Sequence, residues 1–165
     1  MWYQQTNFDE ANQKKAAKPA KTALVAAVDI LARQEQSENK LRKKLIRKGY
    51  AEAEINQAID RLQEKHYLCD EDACARQFEY LYQESSKSVR QICVKLMQRG
   101  FSSALVKSCV PADTFEREKK AALRVLQLKY KPAADKQKLM ASLYRKGYDS
   151  SAIRAAVTEF INAEQ

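Results

Sequence analysis

The sequence is poor in glycine and histidine, and both shortages exclude kinds of site. Three glycines in 165 residues leave no glycine-rich phosphate loop. His66 is the only histidine, so there is neither a second histidine for a recognisable zinc site nor a histidine paired with a nucleophile. The four cysteines, at positions 69, 74, 93 and 109, include no C-x-x-C pair. We therefore expect reduced, packed cysteines and no bound metal.

Long apolar runs and catalytic constellations are also missing. No run of about 18 apolar residues occurs, and the first fifteen residues lack the charged-then-apolar order of a secretory signal. Paired carboxylates in an apolar setting are absent as well. We expect a cytoplasmic protein that is not an enzyme, uses no cofactor and has no membrane partner.

One motif occurs three times in this chain. It reads LIRKGY at 45–50, LMQRGF at 96–101 and LYRKGY at 143–148. When the copies are aligned on their glycines, four columns are apolar in every copy. The columns are Leu41, Ile92 and Leu139; Leu45, Leu96 and Leu143; Ile55, Val106 and Ile153; and Ile59, Val110 and Val157. This agreement indicates an internal repeat of roughly 47 to 51 residues.

Apolar residues at helical spacing predict an all-α fold of three tandem three-helix repeats. In the first helix, for example, Leu24, Val28 and Leu31 lie at i, i+4 and i+7. The predicted divisions are a lysine-rich N-terminal arm at 1–21 and repeats at 22–68, 69–112 and 113–165. Predicted helix N-caps are Ser37, Ser86 or Ser88, Ser102 and Asp149.

Each of the three glycines stands at the predicted end of a repeat's middle helix. Glycine tolerates the left-handed conformation that ends a helix, and the residue after it then folds back over the last turn. We interpret these pairs as structural C-caps in which each aromatic ring covers the preceding leucine. The pairs are Gly49 with Tyr50, Gly100 with Phe101, and Gly147 with Tyr148.

Positive charge is concentrated in the predicted middle helices. The net charge is +9, yet residues 38–48, 87–99 and 136–146 hold fourteen of the 30 bases and one of the 21 acids. Compensation of the helix dipole explains only bases in a last turn. The alternatives are a merely solvated face and a partner-binding basic stripe, and we favour the stripe. Its predicted residues are Lys40, Arg42, Lys43, Lys44, Arg47, Lys48, Arg90, Lys95, Arg99, Lys138, Arg145 and Lys146.

With these features the chain resembles the RecX family, regulators of the RecA recombinase. The first repeat, ALVAAVDILARQEQSENKLRKKLIRKGYAEAEINQAIDRLQEKHYL, is similar to the family pattern, as are EREKKAALRVLQLKY and KQKLMASLYRKGYDSSAIRAAV in the third. The resemblance covers residues 22–163. It implies an elongated, curved, monomeric protein without enzymatic activity. Such a protein binds the RecA filament on single-stranded DNA and reduces filament growth, ATP hydrolysis and strand exchange.

Two other functions remain open from the sequence. The chain could be a basic helical-repeat protein that binds DNA or RNA directly, without a recombinase, in which case tight and steeply salt-dependent binding to free nucleic acid is expected. Tyr144 is almost the only middle-helix aromatic available for base stacking, which disfavours single-strand binding as the sole role. A passive scaffold would bind neither partner.

Overall fold

The computed structural model describes residues 20–131 and 133–163, and in those residues it contains nine α-helices and no strand. The predicted all-α fold is therefore confirmed. The predicted arm, residues 1–21, lies outside the described residues except for its last two. The helices are α1 Ala23–Arg33, α2 Glu38–Arg47, α3 Glu52–Glu64, α4 Asp70–Glu84, α5 Val89–Gln98, α6 Ser103–Ser108, α7 Phe115–Lys129, α8 Lys136–Arg145 and α9 Ser150–Asn162.

Each successive group of three helices has its own buried core. The main helix contacts lie within α1–α3, within α4–α6 and within α7–α9, and the buried apolar residues form three matching clusters. The aligned columns supply much of these cores: Leu41, Leu45, Ile92, Leu96, Leu139 and Leu143 are fully buried. Val110 is the exception, because α6 ends at Ser108 and leaves it half-buried after the helix. The boundaries predicted at 68/69 and 112/113 lie in the segments between α3 and α4 and between α6 and α7.

The buried face of α1 differs from the predicted one. Val28 is 47% exposed, whereas Ala23, Ala26 and Ala27 are buried against α3. A small side chain lets two helix backbones approach closely, so alanines can form the contact face while a larger residue points outward. The i, i+4, i+7 pattern identified the helix but assigned Val28 to the wrong side.

At the end of each middle helix, the backbone turns at glycine. Gly49, Gly100 and Gly147 have φ angles of 86°, 97° and 77°, all in the left-handed region. The amide after each glycine donates back across the turn, as from Tyr50 N to Leu45 O at 3.3 Å and from Phe101 N to Leu96 O at 3.3 Å. Such bonds satisfy carbonyls that the helix end leaves free. The aromatic side chains that follow these glycines are buried.

The middle helices α2, α5 and α8 meet end to end. Ser37, the N-cap of α2, donates from Oγ to the carbonyl of Arg99, the C-cap of α5, at 2.7 Å. In the same way Ser88, the N-cap of α5, donates from Oγ to the carbonyl of Lys146 at the end of α8, at 2.6 Å. The N-terminus of one middle helix therefore abuts the C-terminus of the middle helix in the next repeat.

An ion pair on α7, Arg117 with Glu118 at 3.9 Å, is largely buried and bonds the third repeat to backbone groups of the second. The Arg117 guanidinium on α7 donates to the carbonyls of Tyr82 and Ser85, both at 2.9 Å, and to the carbonyl of Lys87. Glu118, only 2% exposed, accepts from the backbone amide of Val89, and from that of Asp149 at 3.0 Å. Both charges are thus matched by hydrogen bonds, as burial of an ion pair requires.

The junction between the first and second repeats is more exposed. Asp70 accepts from the Glu38 amide at 2.8 Å, and Arg76 pairs with Glu35 at 2.5 Å. The Arg76 side chain is 65% exposed, so this pair contributes little. Both junctions contain a hydrogen bond from an N-cap serine to the end of the next middle helix. Among the described residues, only the junction between the second and third repeats adds a largely buried arginine and a buried glutamate to it.

Candidate interaction surface along the middle helices

All twelve bases of the predicted stripe are exposed or half-buried on α2, α5 and α8 or at their C-caps. In the part of the chain that the structure describes, Arg42 alone among them forms an ion pair, with Glu38 at 2.7 Å. Arg42 also donates to Asn56 on α3 at 2.5 Å, and Arg99 donates to Gln77 on α4 at 2.7 Å. These two guanidinium groups are therefore held by their own repeats, and Arg145 donates to the Ala141 carbonyl at 3.4 Å, whereas the other nine bases are available to a partner.

The α5–α8 junction gathers bases from two repeats into one cleft. Its volume is about 490 Å³, and Arg90 and Lys95 line it from α5 while Arg145 and Lys146 line it from the end of α8. Lys87, just before α5, lines it too. No acid is among the lining residues. Like charges this close repel one another, so an anionic partner would be favoured here.

The remaining bases of the stripe lie at the other junction and along α2 and α8. Lys40 and Arg99 line a smaller recess at the junction of α2 with α5, together with the acid Glu35. Lys43, Lys44, Arg47 and Lys48 continue along α2 to its exposed C-terminus. Lys138 lies at the other end, in the first turn of α8. The stripe residues thus lie on three middle helices, each of which contacts the next through an N-terminus and a C-terminus.

Three exposed apolar residues also lie on the middle helices, and only Tyr144 among them was noted from the sequence. Ile46, Met97 and Tyr144 are 61%, 40% and 47% exposed, and each stands three residues before the glycine of its repeat. The signal was present in the glycine alignment, because this column is large and apolar in every copy. The sequence alone does not show that this column, unlike the core columns, is exposed.

Burial at the second junction shifts two pKa values. Burial lowers the pKa of the Arg117 guanidinium, and the neighbouring Glu118 charge opposes that shift. Burial also raises the pKa of Tyr148 to about 12, and the charge of Glu118 adds to the effect. The Tyr148 hydroxyl donates a hydrogen bond to the Ser86 carbonyl, which fixes the loop before α5.

The four cysteines are free thiols. Burial raises the pKa of Cys74 to about 12, and its Sγ lies 3.8 Å from that of Cys109. Cys74 is fully buried in the core of the second repeat, where it acts as a small apolar residue. None of the helices in the described residues is both long and apolar enough to cross a membrane.

Two protein-family models match this chain. The one described as "RecX, first three-helix domain" matches residues 23–62, and the one described as "RecX, third three-helix domain" matches residues 113–157. Together they span just over half of the sequence. The chain belongs to the RecX family. The two matches include most of the first and third helix groups, and the suspected family resemblance is confirmed.

Relatives and solved structures agree with this assignment. The regulatory protein RecX of Clostridium botulinum (strain Eklund 17B / Type B) is 35% identical over 149 residues, which cover 84% of this chain and 68% of that protein. The regulatory protein RecX of Neisseria meningitidis (serogroup C, strain FAM18) is 31% identical over 146 residues, covering 85% and 92%. The crystal structure of RecX from Lactobacillus salivarius has a TM-score of 0.73 at 18% identity, covering 86% of this chain and 95% of that one. The last comparison supports the helical-repeat fold.

Proposed function

We propose that this chain regulates the RecA recombinase by binding the filament that RecA forms on single-stranded DNA. Binding inhibits filament growth, ATP hydrolysis and strand exchange. The protein acts as a cytoplasmic monomer, and each of its three repeats contributes one middle helix to the contact. Membership of the RecX family, whose relatives are named regulatory proteins, supports the regulatory role.

The observation that carries the proposal is the end-to-end order of the middle helices. Each spans ten residues, so the three together provide roughly 45 Å of helix. The bases along them form a row that suits an elongated anionic partner, which a filament of protein and DNA provides. Eleven of the twelve bases have no ion-pair partner among the described residues, so these eleven can bind a partner without breaking an internal salt bridge.

The test is the ATPase rate of RecA on single-stranded DNA as this protein is added, at two salt concentrations. Binding to the same DNA without RecA is measured beside it. We expect inhibition at protein concentrations well below those that coat the bare strand. Inhibition that follows strand coating would instead favour the direct nucleic-acid binder, whose log affinity falls against log salt by about 0.7 per phosphate contact.

A charge-reversal variant tests the row itself. Lys43→Glu with Lys44→Glu and Arg47→Glu should abolish inhibition while the helical circular dichroism signal is kept. The matched control carries the same charge change on α7, where Lys120, Arg124 and Lys129 are all exposed. It should inhibit nearly as well as the unmodified protein. Equal inhibition by both variants would exclude the row as the contact surface.

A further inference from the structure

The middle helices that carry the bases also carry an exposed apolar residue at one repeated position. Ile46, Met97 and Tyr144 occupy the same position of α2, α5 and α8 and are between 40% and 61% exposed. Single exposed apolar residues are common on protein surfaces and need no explanation. Three at one equivalent position, on helices that meet end to end, form a regular pattern of the kind that a binding surface has.

This column lies outside the cores of the three helix groups. The apolar side chains four and eight residues before each glycine fill the cores, whereas the side chains three residues before it lie outside all three core clusters. Each also has a base within the next two residues, namely Arg47, Arg99 and Arg145. An apolar centre with charged residues around it is the usual composition of a protein–protein contact, in which Met, aromatic residues and Arg are enriched.

Nucleic acid alone would be a poor partner for this column. Single strands are held by aromatic rings and Arg planes on which bases stack, and of the three side chains only Tyr144 offers a ring. Ile46 and Met97 would gain by leaving water for an apolar recess, which a phosphate backbone does not provide. The chemistry of the column therefore matches a protein partner whose surface is acidic and contains apolar recesses.

We infer that Ile46, Met97 and Tyr144 are three equivalent anchors that enter apolar recesses, bordered by acidic side chains, on the protein component of the filament. This inference rests on the proposed function. The bases draw the two surfaces together and set the orientation, while the anchors supply contact that salt does not screen. Neighbouring anchors are separated by about one middle helix, roughly 15 Å, plus the junction.

The experiment measures binding of the labelled protein to RecA filaments on single-stranded DNA, and to the bare strand, at low and high salt. The anchor variant combines Ile46→Ser, Met97→Ser and Tyr144→Ser. The control variant combines Tyr67→Ser, Tyr80→Ser and Leu128→Ser, which are 73%, 67% and 76% exposed and lie off the middle helices. Circular dichroism and thermal melting establish that both variants fold.

We expect each single anchor substitution to weaken filament binding about tenfold, and the anchor variant to weaken it about a hundredfold or more. The slope of log affinity against log salt should not change, because no charge is removed. The control variant should bind the filament as the unmodified protein does. Binding of the anchor variant to the bare strand should also be unchanged.

The outcomes separate this inference from the proposed function. Filament binding by the anchor variant equal to that of the unmodified protein would overturn the anchors and leave the proposed function standing. A parallel loss on the bare strand would show that the column contacts DNA, and would also overturn them. Should the unmodified protein bind filaments no better than the bare strand, the proposed function fails and the inference fails with it.

Discussion

Replacing Gly100 with alanine should destabilise the protein by about 2–4 kcal/mol, more than the same change at Gly49. Two costs add at Gly100. Its φ of 97° lies in the left-handed region, which costs a residue with a Cβ roughly 1–2 kcal/mol. The added Cβ would also stand 2.5 Å from Ser37 Oγ. That hydroxyl must shift and lose its bonds to Arg99 O and from Lys40 N, at about 1–2 kcal/mol together.

Urea unfolding followed by circular dichroism measures this difference. Gly49→Ala is the matched control, because Gly49 has a similar φ of 86° and is exposed. Its free energy of unfolding should fall only by the cost of placing a residue with a Cβ in the left-handed region, about 1–2 kcal/mol.

A double-mutant cycle with Ser37→Ala isolates the contact between repeats. Without the Ser37 hydroxyl the added Cβ meets no oxygen, so Gly100→Ala in that background should cost about as much as Gly49→Ala. An equal cost of Gly100→Ala with and without the Ser37 hydroxyl would exclude the close contact between Gly100 and Ser37 at the α5–α2 junction.

The buried junction between the second and third repeats supports three further predictions. Glu118→Gln should lower the free energy of unfolding in urea by about 2–4 kcal/mol, because Arg117 is left buried without its counter-charge. The control Glu116→Gln, at an exposed site, should change it by no more than about 0.5 kcal/mol. Equal effects of the two substitutions would refute the buried pair. Tyr148→Phe should cost about 1 kcal/mol through loss of the hydrogen bond to the Ser86 carbonyl, and an unchanged unfolding midpoint would contradict that bond. With the Tyr148 pKa raised from 10.0 to about 12, its contribution is complete below pH 10 and is lost as pH rises from 10 to 12. Stability should therefore fall more steeply over that interval in the unmodified protein than in Tyr148→Phe, and parallel curves would contradict burial of this hydroxyl.

The core and the helix ends were the most predictable parts of this fold. A buried position such as that of Leu45 or Leu143 must be apolar in every repeat, and a left-handed helix end favours glycine. Both requirements therefore produce a residue pattern that repeats along a single sequence. The face of α1 was less predictable. A helix such as α1 can pack through small or large side chains, and only the distance to α3 decides whether Ala27 or Val28 points inward.

Contacts between repeats were harder to predict from the sequence. Ser37 was predicted as an N-cap and Ser88 as one of two alternatives with Ser86. A cap uses the hydroxyl as an acceptor, whereas the bond that the same hydroxyl donates to the next repeat depends on where that repeat lies. Likewise nothing local distinguishes Glu118, which is buried, from Glu116, which is exposed. For the candidate surface, charge counting identified the three helices, while the apolar column became interpretable only when its exposure was known.

The difference in burial between the two junctions also predicts which helices unfold locally first. The Arg117 and Glu118 contacts tie α4–α6 to α7–α9 through buried polar groups, whereas α1–α3 meet α4–α6 through a more exposed set. In a linear array, stability is the sum of the units and of the interfaces between neighbours. Amide hydrogens of α1–α3 should therefore exchange through a partial opening of lower free energy, while those of α4–α9 exchange together as one cooperative unit.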